Sequence, residues 1–136
     1  MSDAERIASF IALAEEELSA ARLLTSAVPR QAAYFVQQAA EKAARAVLTA
    51  AGVPFGTSHN LGQMAAALPA AHPLRTAVNA LDKYSSAATK YRYPNPAGRL
   101  SRAPAIEEVA SSIDEVAAFI ARAKEYFRMA SLRPGT

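Results

Sequence analysis

The stretch Lys90–Pro96 reads Lys-Tyr-Arg-Tyr-Pro-Asn-Pro and is the strongest candidate for binding chemistry in the chain. Its two prolines forbid helix continuation and bias the residues before them to extended backbone, which predicts a stiffened loop around Arg92 and Tyr93. An arginine offers a planar fork to a phosphate, and a tyrosine offers a ring face to a base. The pattern therefore favours a nucleotide or a single-stranded nucleic acid. The alternative is structural: Tyr91 and Tyr93 pack into the protein, and Arg92 pairs with a carboxylate such as Glu41.

Two histidines are the other candidates for acid–base chemistry. His59 precedes an expected helix, so it could act as a general acid or base, or it could cap that helix. His72 precedes Pro73, and we interpret it as part of a turn. The two histidines lie thirteen residues apart without clustered carboxylates, so we expect no metal site and no cofactor. The chain has no cysteine, no glycine-rich phosphate loop and no nucleophile elbow.

A further group of polar residues falls on one face of an expected helix. At spacings of i, i+3, i+4 and i+7 stand Gln38, Glu41, Lys42 and Arg45. Residues at these spacings are neighbours on a helix surface, so the four polar groups share one side. A binding site at Arg92 requires this side of the helix and the tyrosine-rich loop to meet.

The composition is that of one globular domain. The chain has 136 residues, of which 51% are hydrophobic and 20% charged, and this balance argues against disorder. We interpret residues 1–131 as a single helical domain and residues 132–136 as a flexible tail. The net charge of +3 is concentrated in one segment: residues 90–102 hold four basic residues and no acid. The rest of the chain therefore has a net charge of −1. The N-terminus lacks the features of a signal peptide and no run suits a membrane span, so we expect a cytoplasmic protein.

Apolar periodicity predicts an all-α fold with three long helices and two short ones, and no strand. The expected segments are 3–27, 30–51, 60–68, 73–89 and 104–131. The last segment carries a heptad stripe that could face its own core or a second subunit; its members are Ile106, Val109, Ile113, Val116, Ile120, Ala123 and Phe127. The connection over residues 90–103 is long for so compact a domain, and such loops are often functional.

Three motifs, in this order, resemble the HEPN family (higher eukaryotes and prokaryotes nucleotide-binding). They are Gln-Gln-Ala-Ala-Glu-Lys-Ala at 37–43, Ser-His-Asn-Leu at 58–61 and Tyr-Arg-Tyr-Pro at 91–94, and the likeness extends from about residue 4 to residue 127. The resemblance implies an up-and-down bundle of the four-helix type, commonly a homodimer. It also implies partnership with a minimal nucleotidyltransferase, often as a toxin–antitoxin pair.

One departure from the family bears on activity. Many HEPN proteins are metal-independent ribonucleases in which four to six residues separate an arginine from the histidine that follows it. No arginine here has a histidine at that spacing, and both histidines precede Arg92. The chain is therefore similar to the Arg-Tyr-Pro branch of the family, whose proposed role is to bind a nucleotide or to support a partner.

These observations leave three hypotheses. In the leading one the protein is a non-catalytic dimeric module for a nucleotide or RNA: Arg92 and Lys90 engage phosphate, and Tyr93 supports the loop or a base. Helix residues and a histidine complete that site, namely Gln38, Glu41, Lys42 and His59. In the second, a ribonuclease toxin uses His59 as the base and Arg92 to stabilise the phosphorane charge. In the third, the bundle only docks a partner protein.

Overall fold

The computed structural model describes residues 2–131, and this part of the chain is helical without any strand. The helices in chain order are α1 (Asp3–Leu24), α2 (Pro29–Ala50), α3 (Leu61–Ala67), α4 (Arg75–Ala80), α5 (Ala87–Lys90) and α6 (Ile106–Ser131). The all-α prediction is confirmed, and the three long helices lie where they were expected. None of the helices within this range combines the length and the hydropathy that a membrane crossing needs. The tail proposed for residues 132–136 lies outside the described residues.

The two helices α1 and α2 form a pair with small residues at their contact. The chain reverses after α1, and Pro29 opens α2, where its missing N–H costs no hydrogen bond. The N-terminal end of α1 lies beside the C-terminal end of α2, since the Phe10 and Phe55 rings meet at 6.1 Å. Alanines of both helices are fully buried, and they allow a close helix approach; they include Ala14, Ala21, Ala39, Ala43 and Ala46.

The long helix α6 turns its heptad stripe inward. The central members of the stripe are buried among α1, α2 and the short helices, and they are Val109, Ile113, Val116, Ile120 and Ala123. At its ends, Ile106 is exposed and Phe127 is partly buried. From the sequence, the stripe could face either its own core or a second subunit. The structure shows the first arrangement: the stripe forms part of the core of this chain's own bundle.

The segment expected as one helix over 73–89 is divided into α4, a 3-10 turn (Leu81–Tyr84) and α5. Asp82 Oδ1 accepts the N–H of Gly62 at 2.8 Å, and Ser85 Oγ accepts the N–H of Leu61 at 3.0 Å. The Ser85 hydroxyl also donates to Asp82 Oδ1 at 3.1 Å. Aspartate and serine compete with the helix ladder for backbone groups, and here they bind the first turn of α3 instead. These long-range bonds explain why the single helix was not formed.

A glycine makes this contact with α3 sterically possible. A Cβ atom on Gly62 would lie 3.0 Å from both Cγ and Oδ1 of Asp82, closer than ordinary van der Waals contact. The backbone of α3 therefore meets the carboxylate directly because position 62 has no side chain.

The long connection before α6 has its own internal hydrogen bonds. Asn95 Oδ1 accepts the N–H groups of Ala97 at 3.0 Å and Arg99 at 2.9 Å. The Asn95 N–H donates to the Arg99 carbonyl at 2.8 Å, and Gly98 supplies the positive φ of +78° that closes the turn. Farther along, Arg30 donates to the Ser101 carbonyl at 2.5 Å, which ties the connection to α2.

His72 lies in the turn between α3 and α4, as its interpretation from sequence required. Its Nδ1 accepts the N–H of Leu74 at 3.0 Å, and its ring packs against Tyr126 at 5.3 Å between centroids. Burial lowers the pKa of His72 below its usual 6.5. The neutral imidazole is therefore favoured in the folded chain, because a protonated Nδ1 could not accept this bond.

We expect His72 to make the fold sensitive to acid. Since its folded-state pKa is lowered, its contribution to stability is complete above pH 6.5 and is lost as the pH falls from 6.5 towards that lowered value. In a His72→Asn variant an amide oxygen can accept the same N–H without titrating. Urea unfolding from about pH 8 to about pH 5 should show a smaller acid loss in the variant than in the wild type. Equal losses in the two proteins would contradict this assignment.

Candidate functional site

A cleft of about 900 Å³ opens between α2, the residues that precede α3, and the segment around α5. Four of the residues predicted as site residues line it: Gln38, His59, Arg92 and Tyr93. They come from three separate stretches of the sequence, so the helix face and the tyrosine-rich loop do meet. Tyr34, Asn60, Asp82 and hydroxyl groups of the α5 region complete the lining.

The Arg92 side chain lies at this cleft against two tyrosines. Its Cζ atom is 4.7 Å from the ring centre of Tyr34 and 5.3 Å from that of Tyr93. Its Nη1 donates to the Tyr34 hydroxyl at 3.3 Å. Within residues 2–131 no carboxylate lies at salt-bridge distance from Arg92, so its charge is not neutralised by the part of the chain described here. Tyr93 stays 54% exposed, and the structural alternative in which Arg92 pairs with Glu41 is not what the structure shows.

The carboxylate of Glu41 is buried in α2 and is surrounded by hydrogen-bond donors. Oε1 binds His59 Nδ1 at 2.7 Å and accepts from the Gln37 amide at 3.1 Å, while Oε2 lies 3.4 Å from Arg45 Nε. Because His59 contacts Glu41 through Nδ1, its Nε2 is the ring nitrogen left for a ligand. The His59 side chain is 64% exposed, so a ligand in the cleft can reach it.

The ion pair between Glu41 and Arg45 also holds the chain that leads into α3. Arg45 Nη2 donates to the Ser58 carbonyl at 2.8 Å, and its guanidinium lies 4.8 Å from the ring centre of Phe55. Glu41 meanwhile fixes His59, the next residue along. Two adjacent residues of the connection are therefore attached to one helix turn of α2, and this attachment sets the position of the histidine in the cleft.

Lys42 does not line the cleft but contacts Gln38, which does. Its Nζ pairs with Glu17 of α1 and donates to Gln38 Oε1 at 3.2 Å. The Gln38 amide in turn donates to Gln37 Oε1 at 2.7 Å, which continues the chain of hydrogen bonds to Glu41. Burial raises the pKa of Glu17, and the ion pair with Lys42 opposes that rise. The positive charge of Lys42 is thus already paired with a carboxylate of its own chain.

Lys90 is the last residue of α5, and Arg92 lies beyond the end of that helix. Lys90 lines a different groove, of about 620 Å³, between α5 and the first turns of α6. Its Nζ lies 5.0 Å from the Tyr91 ring centre, and its N–H bonds to the Ser86 carbonyl. Lys90 and Arg92 therefore line different grooves. The structure does not bring Lys90 to the cleft where it was expected.

Tyr34 and Asp82 are among the cleft residues that the sequence motifs did not indicate. Tyr34 stands four residues before Gln38, so it extends the polar stripe of α2 by one turn. Asp82 begins a short polar run that interrupts the apolar period of the expected fourth segment. Both signals were present, but neither by itself separates a site residue from a solvated one. Among residues 2–131 no group of three or more histidine, aspartate or glutamate side chains is placed to hold a metal ion.

We expect Glu41→Ala to destabilise the protein, because it leaves Arg45 without its acid and frees the connection that carries His59. Loss of a partner for a buried polar group costs roughly 1–3 kcal/mol. Glu16→Ala is the matched control, since Glu16 is exposed on α1. Denaturant unfolding would measure both variants, and hydrogen exchange would report loosening of residues 51–60 in Glu41→Ala alone. A variant as stable as the control would show that the carboxylate has no structural role.

A comparison with known families identifies the domain to which the cleft belongs. The model of the HEPN domain matches residues 7–130, which is most of the chain and includes the whole cleft. No curated protein and no solved structure matches the chain at a significant level. HEPN domains are modules of nucleotide-binding and ribonuclease type. On the extent of this match, the chain belongs to the HEPN domain family.

Proposed function

We propose that the protein is a HEPN module that binds the phosphate of a nucleotide in the cleft beside α2. The observation that carries this proposal is the state of Arg92. Its guanidinium is exposed at the cleft, rests against two tyrosine rings and has no carboxylate within salt-bridge distance in the described residues. Arginine is suited to bidentate recognition of phosphate, and its positive charge here is left for a ligand.

The dimensions and the lining of the cleft support a ligand of nucleotide size. A volume of about 900 Å³ lies within the range of about 300–1,000 Å³ that small-molecule sites occupy. His59 Nε2 and the hydroxyls of Ser86 and Thr89 offer hydrogen bonds to phosphate or ribose oxygens. The exposed ring of Tyr93 could receive a base. Lys42 and Glu41 act on this site through Gln38 and His59, respectively.

The assembly and the setting of the protein are also proposals. Exposed apolar side chains next to the basic loop support a homodimer, since Leu100 is 72% and Ile106 44% exposed. We further propose that the module acts in the cytoplasm with a minimal nucleotidyltransferase, as in a toxin–antitoxin pair. This part of the proposal rests on membership of the family. The nucleotidyltransferase would act on this protein at the cleft.

A ribonuclease is the second candidate, and one observation favours it: His59 and Arg92 line the same cleft. His59 would take the proton from a ribose 2′-hydroxyl, and that oxygen would attack the adjacent phosphorus. The bond from phosphorus to the 5′-oxygen would then break, and the leaving oxygen would take up a proton. Arg92 would stabilise the negative charge on the phosphorane, while Glu41 would hold the histidine ring. A bundle that only docks a partner remains the third candidate.

We expect Arg92→Ala to remove nucleotide binding without changing the helical fold, because within residues 2–131 the Arg92 side chain is exposed and interacts with the tyrosines Tyr34 and Tyr93. In a thermal-shift titration, a nucleoside triphosphate at roughly a hundred times its dissociation constant should stabilise the wild type by roughly 2.7 kcal/mol. Arg102→Ala is the matched control, since Arg102 is an exposed arginine of the same connection and does not line the cleft. A full ligand shift in Arg92→Ala would refute the assignment.

If the module is non-catalytic, single-stranded RNA should stay intact after long incubation with purified protein in the presence of a chelator. The matched variant is His59→Asn, whose circular dichroism should equal that of the wild type. Cleavage by the wild type that is lost in His59→Asn would transfer the proposal to the ribonuclease. Cleavage that persists in the variant would point to a contaminating nuclease.

A further inference from the structure

Tyr34 is the one residue of α2 that touches the Arg92 guanidinium among the contacts within residues 2–131. Its ring centre lies 4.7 Å from Arg92 Cζ, and its hydroxyl accepts a hydrogen bond from Nη1 at 3.3 Å. The Tyr34 ring also packs against Phe35, with 5.6 Å between ring centres. A partly buried tyrosine on a long helix thus meets an exposed arginine on a loop 58 residues farther along the chain.

This contact restricts how Arg92 can present its charge. A free arginine side chain has several rotatable bonds, and holding it for a ligand costs conformational entropy. Here the guanidinium carbon of Arg92 lies over the rings of Tyr34 and Tyr93, and Nη1 donates one hydrogen bond to the Tyr34 hydroxyl. The guanidinium has five N–H donors, so others remain for a ligand. An oriented planar fork of this kind is matched by two oxygens of one phosphate.

Two amide side chains of the cleft that could read a base edge are partly engaged inside the protein. The Gln38 amide accepts from Lys42 and donates to Gln37. The Asn60 oxygen accepts the N–H of Gln63 at the start of α3. A base stacked on the exposed Tyr93 ring would be held through its ring face, which every base has.

We propose that Tyr34 is a positioning residue that holds Arg92 as a bidentate fork for a phosphate chain, so that the cleft selects polyphosphate and is indifferent to the base. The inference rests on the proposed function, since it concerns the same cleft. It assigns the specificity of the site to the phosphate end of the ligand. Tyr34 contributes to this specificity through Arg92 and does not itself contact the phosphate.

The first test compares four probes by isothermal titration calorimetry on the full chain without magnesium: ATP, GTP, inorganic triphosphate and adenosine. We expect the first three to bind with dissociation constants within about threefold of one another, a difference below the roughly 1.4 kcal/mol of a tenfold change. Adenosine should not bind. Tight ATP binding without binding of inorganic triphosphate, or a large preference between ATP and GTP, would overturn this inference and leave the nucleotide site in place. Failure of all four probes would overturn the proposed function as well.

The second test separates positioning from plain structural support. Tyr34→Leu should weaken binding of inorganic triphosphate by about tenfold, because the cation–π contact is lost, while Tyr34→Phe should stay within about threefold of the wild type. Arg92→Lys keeps the charge but removes the planar fork, and it should weaken binding on its own. In the Arg92→Lys background, Tyr34→Leu should have little further effect, since two residues that act as one unit are not additive.

The outcome of this double-mutant cycle is decisive in both directions. A tenfold loss from Tyr34→Leu that recurs in the Arg92→Lys background would show that Tyr34 acts independently of Arg92, which would refute the positioning role. Thermal unfolding of each variant checks the fold. If Tyr34→Leu is unfolded, Tyr34→Phe still tests the inference: a loss of affinity well beyond about threefold would overturn it, because the inference requires the ring alone to preserve affinity.

Discussion

The buried carboxylate of Glu41 is the constraint on which the cleft depends. A charge in the interior of a protein requires partners that compensate its lost hydration. Glu41 finds them in Arg45, Gln37 and His59, and two of these three contacts involve residues that hold the chain leading into α3. The irregular connection can therefore dock on α2 in few other ways. An internal electrostatic requirement therefore sets the position of His59 in the cleft.

The helix bundle gives this polar centre a firm base. Alanines bring α1 and α2 close together, and the apolar stripe of α6 closes the core from the other side. With the backbone of α2 fixed in this way, its opposite face can carry a chain of hydrogen bonds that runs from Glu17 through Lys42 and the two glutamines to Glu41. One helix thus serves the hydrophobic core and the cleft at the same time, through different faces of the same few turns.

The sequence allowed the long helices to be predicted because their apolar residues recur at helical spacing and their ends carry helix-stopping residues. It failed for the fourth segment, where Asp82 and Ser85 prefer bonds to α3 over their own helix, a choice that only the tertiary contact decides. Among the site residues, the order of three motifs indicated Gln38, His59, Arg92 and Tyr93. The same motifs could not separate Lys90 from Arg92, because the two residues are close in sequence and line different grooves in the folded chain. Nor could they reveal Tyr34, whose partner is 58 residues away.

The contact between Gly62 and Asp82 has a consequence for how this chain can vary. A glycine inside a helix lowers helix stability by about 1 kcal/mol relative to alanine, yet α3 has one in its first turn. The absence of a Cβ there lets the Asp82 carboxylate reach the backbone, and a side chain would push it away. We therefore expect positions 62 and 82 to vary together: in a relative that gains a side chain at the first, the acid at the second has to be replaced or has to shift. Such paired changes would record a structural contact in sequences alone, and they would mark relatives in which one wall of the cleft has been rebuilt.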